Sequence, residues 1–187
     1  MGESIIDATR HFVAELDQRT LTSAEASARE HTRLDTGREM RLQDALELLT
    51  AAKLLAVGDD FDRGEAQGLR LWLTKYDMPD EVQRHLLQLD VSGFSIDELS
   101  DRLAPDCMES RRLFWLVAAL ASFEGLRSGP RTRAEVLGQR LGLSAGLTRV
   151  LIEEAQLTVS AVLRGDEPLI RRLRTLRHAI FELGRSS

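Results

Sequence analysis

The stretch that decides the fold is residues 36–58, TGREMRLQDALELLTAAKLLAVG. Its apolar side chains recur at spacings of three and four residues, at Met40, Leu42, Ala45, Leu46, Leu49, Ala52, Leu55 and Ala56. Because this spacing matches the period of an α-helix, it predicts a long helix over 37–57 that ends near Gly58. Its broad apolar face must pack against other helices, so the fold class we expect is all-α.

Prolines and caps mark the helix boundaries in the rest of the chain. The four prolines fall between the periodic segments, as expected of residues that open or separate helices, at Pro79, Pro105, Pro130 and Pro168. Two capping boxes predict helix starts, Ser95 with Glu98 and Thr132 with Glu135. No strand signal competes, and helices are predicted over 3–17, 23–33, 37–57, 64–76, 79–91, 95–103, 106–123, 132–142, 145–163 and 167–183.

The composition fits a single globular domain with an appended helix. The chain has 187 residues, of which 43% are hydrophobic, and a net charge of -5. Cys107 is the single cysteine, which excludes a disulfide scaffold and a cysteine-based zinc site. The first residues lack the features of a signal peptide, and the longest apolar run, 113–121, is too short to span a membrane. We therefore expect a cytoplasmic protein.

An internal repeat emerges when the chain is shifted on itself by 65 positions. The shift aligns residues of similar character, among them Leu48 with Leu113, Leu55 with Leu120, Asp59 with Glu124, Gly64 with Gly129 and Leu86 with Leu151. Each copy, about 44–91 and about 109–156, has a long helix, an acidic loop, a second helix, a sharp turn and a third helix. Since neither copy covers its own apolar face, we predict that two three-helix units share one core.

The repeated loop resembles that of a known family. A helix ending in Asp-Gly, an apolar residue, a polar residue, two residues and Glu, used twice in an all-helical domain, resembles the TerB-like family associated with tellurite resistance. The resemblance covers about residues 40–160, with loops GDDFDRGE (58–65) and EGLRSGP (124–130). Asp60 replaces the family's Gly, Glu124 its Asp, and Pro130 its final acid. It implies a non-catalytic binding or scaffold domain at 36–163, between a helical arm (1–35) and a basic helix (164–187).

The resemblance also implies a divalent-cation site in these loops. Hard cations such as calcium, magnesium or manganese prefer carboxylate oxygens gathered at one point. The candidate ligands are Asp59, Asp60, Asp62 and Glu65, with Glu124 from the second copy. Alternatively, these acids cap the following helix and complement its dipole. An EF-hand is excluded because Glu65 falls where that loop needs glycine, and Arg127 and Arg131 beside Glu124 oppose a symmetric two-loop site.

The last segment combines an apolar seam with positive charge. Residues 164–187 carry six Arg against three acids, a charge of +3, while the rest of the chain carries -8. Apolar residues follow a 4-3-4-3 spacing at Leu169, Leu173, Leu176, Ile180 and Leu183. We predict that this seam docks on the core and that the arginines face solvent or the acidic loops, at Arg171, Arg172, Arg174 and Arg177, which are also the candidate partner-binding residues. The alternatives are a helix for a protein partner or homodimer and a peripheral contact with an anionic membrane.

Two motifs resemble catalytic or DNA-binding signatures. GLSAG at 142–146 matches a nucleophile elbow, but the preceding segment is helical where the elbow needs a strand, so Ser144 is predicted to cap the next helix. Residues 133–154 fit a helix-turn-helix, but SAGLTRVLIEEA offers one Arg against two Glu, which disfavours DNA binding. A DNA-binding regulator is therefore kept only as an alternative.

Catalysis has no support in the sequence. The four histidines show no metal-binding spacing, no general acid pairs with a general base on one predicted face, and no glycine loop suits a phosphate. We therefore predict a protein that is not an enzyme. The two tryptophans, Trp72 and Trp115, are predicted to lie in the core, one from each copy.

Overall fold

Helices make up nearly all of the regular structure. The computed structural model describes residues 3–57, 63–95, 101–123 and 128–183. The helices in these ranges are α1 (Ile5–Glu15), α2 (Gln18–Thr36), α3 (Leu42–Val57), α4 (Arg63–Lys75), α5 (Asp80–Gln88), α6 (Met108–Ser122), α7 (Ser128–Arg140), α8 (Ala145–Arg164) and α9 (Glu167–Glu182). The prediction of an all-α fold is confirmed. Within the described ranges, no helix is both long and apolar enough to cross a bilayer.

A short pair of strands was not predicted. Strand β1 (Glu3–Ser4) pairs in parallel with β2 (Phe94–Ser95). Two residues are too few to show an alternating pattern, which is why the sequence gives no signal for either strand. Of the helix predicted over 95–103, Ser95 lies in β2, residues 96–100 are outside the described ranges, and residues 101–102 are helical. Glu98, the second half of that capping box, is also outside.

Three helices differ from their predicted bounds by four residues or more. α3 begins at Leu42, five residues after its predicted start, because Gly37 ends α2 in a left-handed conformation and residues 38–41 form the loop that follows. α2 begins before residue 23, because Asp17 accepts hydrogen bonds from the N–H groups of Arg19 (2.9 Å) and Thr20 (3.1 Å) and so caps it. α7 begins at Ser128, so Thr132 lies inside the helix and its predicted capping role is wrong. Pro130 is tolerated there because the first turn of a helix needs no intrahelical N–H donor.

The core is organised around α6. Twelve of its fifteen residues are buried, and it packs most extensively against α3 and α8 and less against α4, α7 and α9. α1 and α2 pack on α3, and α9 lies against α2 and α8. Trp72 of α4 and Trp115 of α6 are both buried, with ring centroids 5.3 Å apart, which confirms their predicted place in the core.

The turns before α5 and α8 have the same structure at the predicted offset. α4 and α7 begin and end 65 residues apart, and so do the starts of α5 and α8. Asp77 (φ 48°) and Gly142 (φ 74°) occupy the left-handed position in the two turns. The following N–H donates to the carbonyl five residues back, Met78 to Leu73 (3.2 Å) and Leu143 to Gly138 (2.9 Å). This agreement supports the repeat, while the twofold relation of the two units remains a prediction.

The buried face of α9 differs from the predicted seam. Leu176 and Leu183 are 49% and 61% exposed. The buried side chains are Ile170, Leu173, Arg177, Ile180 and Phe181. The expectation that the arginines of this helix face solvent or the acidic loops is wrong for Arg177, whose buried charge is paired with Asp35 of α2 and Glu154 of α8. An apolar pattern alone cannot find a face that contains a buried ion pair.

Candidate functional site

A cleft of about 360 Å³ opens where the loop between α2 and α3 meets residues 102–103 and the start of α6. This volume is at the lower end of the range for small-ligand sites, about 300 to 1,000 Å³. Its lining combines acidic, basic and apolar side chains: Glu39, Met40, Arg41, Asp44, Glu47, Leu48, Arg102, Leu103 and Glu109. None of the predicted site residues is among them.

Hydrogen bonds to α2 hold the loop that forms one wall of the cleft. Gly37 ends α2 in a left-handed conformation (φ 73°), and its N–H donates to the carbonyl of Arg33 (2.8 Å). The N–H of Met40 donates to Thr32 Oγ1 (2.8 Å), and the N–H of Leu42 donates to Glu25 Oε2 (3.2 Å). Side chains of α2 thus satisfy backbone donors of the loop, which gives this wall a defined position.

Two of the four cleft carboxylates are paired with arginine. Asp44 accepts two hydrogen bonds from Arg41, at 3.1 and 3.3 Å. Glu47 accepts from Gln43 Nε2 at 2.9 Å and from Arg102 Nη1 at 3.4 Å. The Glu47 side chain is only 4% exposed, whereas that of Arg102 is 53% exposed. Glu47 is therefore a buried carboxylate, and its counter-ion, the half-exposed Arg102, makes one long contact with it.

The other two carboxylates give the cleft a surplus of negative charge. Glu39 is exposed and Glu109 is partly buried, and neither forms a hydrogen bond or an ion pair with a residue in the described ranges. The four acids face two arginines in the lining, so the surplus is two charges. The buried guanidinium of Arg112 contacts the sulfur of Met40 and interacts with the charge of Glu109, but it does not line the cleft. The potential in the cleft therefore favours cations over anions.

A second cluster, the buried ion-pair network, joins α2, α8 and α9. Arg177 lies 3.3 Å from Asp35 Oδ1 and 3.0 Å from Glu154 Oε1, and all three side chains are at least 92% buried. Its guanidinium carbon is 3.8 Å from the centroid of a Trp115 ring, a cation–π contact. Arg174 adds a second positive charge 3.4 Å from Asp35, so two arginines balance two carboxylates.

Neutral donors add hydrogen bonds to this network, in which the buried Nε of Arg174 has no hydrogen-bond partner among the described residues. Tyr76 donates its hydroxyl proton to Asp35, and Trp115 donates its indole N–H to Glu154. Burial, together with the negative charge of Asp35, raises the pKa of the Tyr76 phenol well above its ordinary value. The cavity beside these residues holds about 10 Å³, room for about one water molecule. The network therefore joins helices and has no space for a ligand.

The predicted metal ligands are not brought together in the described structure. Glu65 lies in α4, and the other four, Asp59, Asp60, Asp62 and Glu124, are outside the described ranges. Where the structure is described, no three His, Cys, Asp or Glu side chains are grouped so that they could hold a metal ion. Cation binding by the acidic loops thus stays a prediction.

The four arginines assigned to a partner surface have different environments. Arg171 and Arg172 are exposed on α9, and Arg174 is partly buried beside Asp35. Arg177 belongs to the buried ion-pair network. A partner surface on α9 would therefore have Arg171 and Arg172 available, with Leu176 exposed on the same helix.

The serine and histidine motifs have structural roles. Ser144 caps α8 by accepting a hydrogen bond from the N–H of Leu147 (3.2 Å), and helix α7 precedes it, as predicted. His85 stacks on Phe12 with ring centroids 3.6 Å apart, and His31 stacks on Tyr76 at 4.7 Å. Burial lowers the pKa of both imidazoles. These two histidines therefore pack against aromatic side chains from other parts of the chain.

The cleft was missed because its residues come from three separate parts of the chain. One signal was available within α3, where Glu47 and Lys53 interrupt a nearly continuous apolar run. Both are buried. Lys53 Nζ donates to the carbonyls of Leu86 (3.0 Å), Leu87 (3.1 Å) and Leu89 (2.7 Å), so it caps the end of α5. A charged residue on an apolar face thus marks either a helix cap or a cleft.

Comparison with known proteins returned no match: no family model, no curated protein and no solved structure is similar to this chain. The resemblance to the TerB-like family is therefore carried by the two loop motifs and their offset. The function has to be inferred from the geometry of the chain itself, in which the cleft of about 360 Å³ has more room for a ligand than a cavity of about 190 Å³ between α7 and α8.

Proposed function

We propose that this protein is a non-catalytic, TerB-like helical binding protein and that the cleft is its binding site. The observation that carries the proposal is a cleft of about 360 Å³ whose walls are held by helices α2, α3 and α6. Loop residues of the wall are tied to α2 by side chain to backbone hydrogen bonds. A site formed before its ligand arrives loses little conformational entropy on binding.

The chemistry of the lining favours binding over catalysis. Among the described lining residues there is no histidine, cysteine, serine or lysine. Asp44 is held by two hydrogen bonds from Arg41, and Glu47 accepts from Gln43 and Arg102. The pairing of Asp44 and Glu47 works against a general-base role for these two carboxylates. Glu39 and Glu109 are not paired with a described residue, but the described lining offers no histidine, serine, cysteine or lysine for them to act with.

Mapping ligand contacts by NMR tests the proposal. We expect the amide signals of Met40, Leu48 and Leu103 to shift together when ¹⁵N-labelled protein is titrated with cationic, neutral and anionic fragments. Leu103→Trp, which fills the cleft, should abolish the shifts. Leu163→Trp, at an exposed position of α8, is the matched control and should leave them unchanged. Shifts confined to residues outside the lining would contradict the proposal.

The resemblance also assigns this binding function to stress response, including tellurite resistance. A host that lacks the protein should then grow more slowly in tellurite than a host that carries it. Complementation by the Leu103→Trp variant should fail if the cleft is needed, whereas Leu163→Trp should restore growth. Equal growth of all strains would remove tellurite resistance from the proposal and leave the binding function to be judged by NMR.

A further inference from the structure

We propose that the ligand of the cleft is a cationic side chain, an arginine or lysine presented by a partner polypeptide. The inference rests on the proposed function and specifies the chemistry of the ligand. Three features of the lining carry it: the surplus of negative charge, the buried carboxylate of Glu47, and an apolar surface beside that carboxylate.

Glu47 provides the anchoring group. Burial of a carboxylate is unfavourable unless it is paired, and the charge that reaches Glu47 comes from Arg102, a residue that is itself half exposed. At 3.4 Å this single contact is longer than a good charge-assisted hydrogen bond. A ligand guanidinium or ammonium that enters the cleft adds a second donor to Glu47 or takes the place of Arg102.

Glu39 and Glu109 add negative charge to the cleft. Neither forms a hydrogen bond or a close ion pair with a described residue, although Glu109 interacts with the charge of buried Arg112, and both lie at the same cleft as Glu47. A cation bound there is attracted by both carboxylates without breaking an existing ion pair. An anion would face a net charge of the same sign, so anionic ligands are excluded on electrostatic grounds.

The apolar part of the lining suits the stem of arginine or lysine. Met40, Leu48 and Leu103 lie in the same cleft as the carboxylates. Arginine and lysine carry three or four methylene groups before the charge, and such stems pack on apolar surface while the head group pairs with an acid. A metal ion would gain nothing from contact with the apolar part of the lining, and the described acids are not grouped as metal ligands.

The test compares four short capped peptides that differ only at the central residue: arginine, lysine, citrulline and glutamate. Citrulline has nearly the shape of arginine without its charge. We expect the arginine and lysine peptides to shift the amide signals of Met40, Leu48 and Leu103. The citrulline peptide should bind at least about tenfold more weakly than the arginine peptide. The glutamate peptide should not bind. Raising the NaCl concentration from about 50 to about 500 mM should weaken the binding of the arginine and lysine peptides.

Variants assign the effect to the cleft acids. Glu47→Gln should weaken the binding of the arginine peptide about tenfold, because the ligand loses a buried counter-charge. Glu109→Gln should weaken binding of the arginine peptide less than Glu47→Gln does, because Glu109 is more exposed than Glu47, and circular dichroism checks that the variant is folded. Glu153→Gln, at an exposed position of α8, is the matched control and should leave the affinity unchanged.

The outcomes separate this inference from the proposed function. Equal binding of the arginine and citrulline peptides would overturn the inference and leave the cleft as a binding site. If fragments shift the cleft amide signals and no peptide does, the inference would likewise be overturned while the cleft remains a binding site. Tighter binding of spermidine than of the arginine peptide would overturn the choice of a polypeptide. Failure of every fragment and every peptide to shift the cleft amides would overturn both proposals.

Discussion

At the scale of single residues, Arg177 makes the most contacts of any side chain described above. It pairs with Asp35 and Glu154, donates to Thr158 Oγ1 at 3.1 Å, and lies over a ring of Trp115. A buried ion pair adds little net stability when compared with apolar residues of the same size. Loss of one partner is different, because it leaves the opposite charge buried and unpaired.

Arg177→Met should therefore destabilise the protein by about 3 to 5 kcal/mol. The variant keeps most of the buried volume but leaves the carboxylates of Asp35 and Glu154 with less positive charge. Urea unfolding followed by circular dichroism measures the change in free energy. The matched control is Arg171→Met on the exposed side of α9, which should change stability by less than about 0.5 kcal/mol. Similar losses in both variants would contradict the assigned role.

His85 predicts a pH dependence of stability. Burial, reinforced by the charge of Lys53, lowers the pKa of His85 in the folded state below 6.5. Below pH 6.5 the unfolded chain then binds more protons than the folded chain, so the free energy of unfolding falls as pH falls towards the folded-state pKa. His85→Phe, which can keep the stack on Phe12, should reduce this slope.

Urea unfolding between about pH 7.5 and about pH 5 measures the slope. Leu163→Phe, which changes no titratable group at an exposed position of α8, is the matched control and should leave the slope unchanged. If the free energy of unfolding changes with pH equally in wild type and in His85→Phe, the His85 imidazole does not control the pH dependence of stability.

At the scale of elements, the two equivalent turns allow a direct comparison. A Cβ on Gly142 would lie 2.6 Å from Pro105 Cβ, and its φ of 74° disfavours any side chain. Gly142→Ala should therefore destabilise the protein by about 1 to 2 kcal/mol or more. At the equivalent position the left-handed residue is Asp77, so Asp77→Gly should be neutral or stabilising by up to about 1 kcal/mol.

Chemical denaturation of the two variants tests this comparison. Gly146→Ala in α8 is the control, because a Cβ there meets nothing within 4 Å and alanine favours a helix. It should be neutral or stabilising. A stable Gly142→Ala variant would mean that the α7–α8 turn adopts another conformation.

Sequence patterns predicted the strongly periodic elements and missed those whose burial depends on tertiary contacts. The predicted 145–163 matches α8 within one residue, because its apolar period and its Ser144 cap are both local signals. α2 was predicted too short, since its buried positions include small residues with little hydrophobic signal, Ala24, Ala28 and Thr32. The cleft could not be predicted, because Glu47, Arg102 and Glu109 come together only when α3 and α6 pack.

At the scale of the whole molecule, the buried ion-pair network joins distant parts of the chain. Asp35 is in α2, Tyr76 directly follows α4, and Trp115 is in α6. Glu154 is in α8 and Arg177 is in α9. The basic last segment is therefore bound to the acidic remainder through buried pairs, in addition to the apolar contacts of Ile170, Leu173 and Ile180.

The acidic loops, 58–65 and 124–130, predict an effect of divalent cations on the stability of the whole protein. If they bind a divalent cation, millimolar calcium, magnesium or manganese should raise the apparent unfolding temperature, because a ligand of the folded state stabilises it. The increase should disappear in the double variant Asp59→Asn/Asp62→Asn. Glu153→Gln is a control acid outside the loops. Thermal unfolding followed by circular dichroism measures the shift, and the absence of any shift would leave helix capping as the role of these acids.

The separation of Asp35 from Arg177 also has a consequence for synthesis of the protein. The two residues are 142 positions apart in the chain. At about 5 to 20 residues per second, a ribosome needs roughly 7 to 28 s to reach the arginine after it has made the aspartate. During that interval α2 and α3 exist without α9, so the nascent chain cannot bury Asp35 as a pair. Completion of the fold therefore waits for the last helix to be translated.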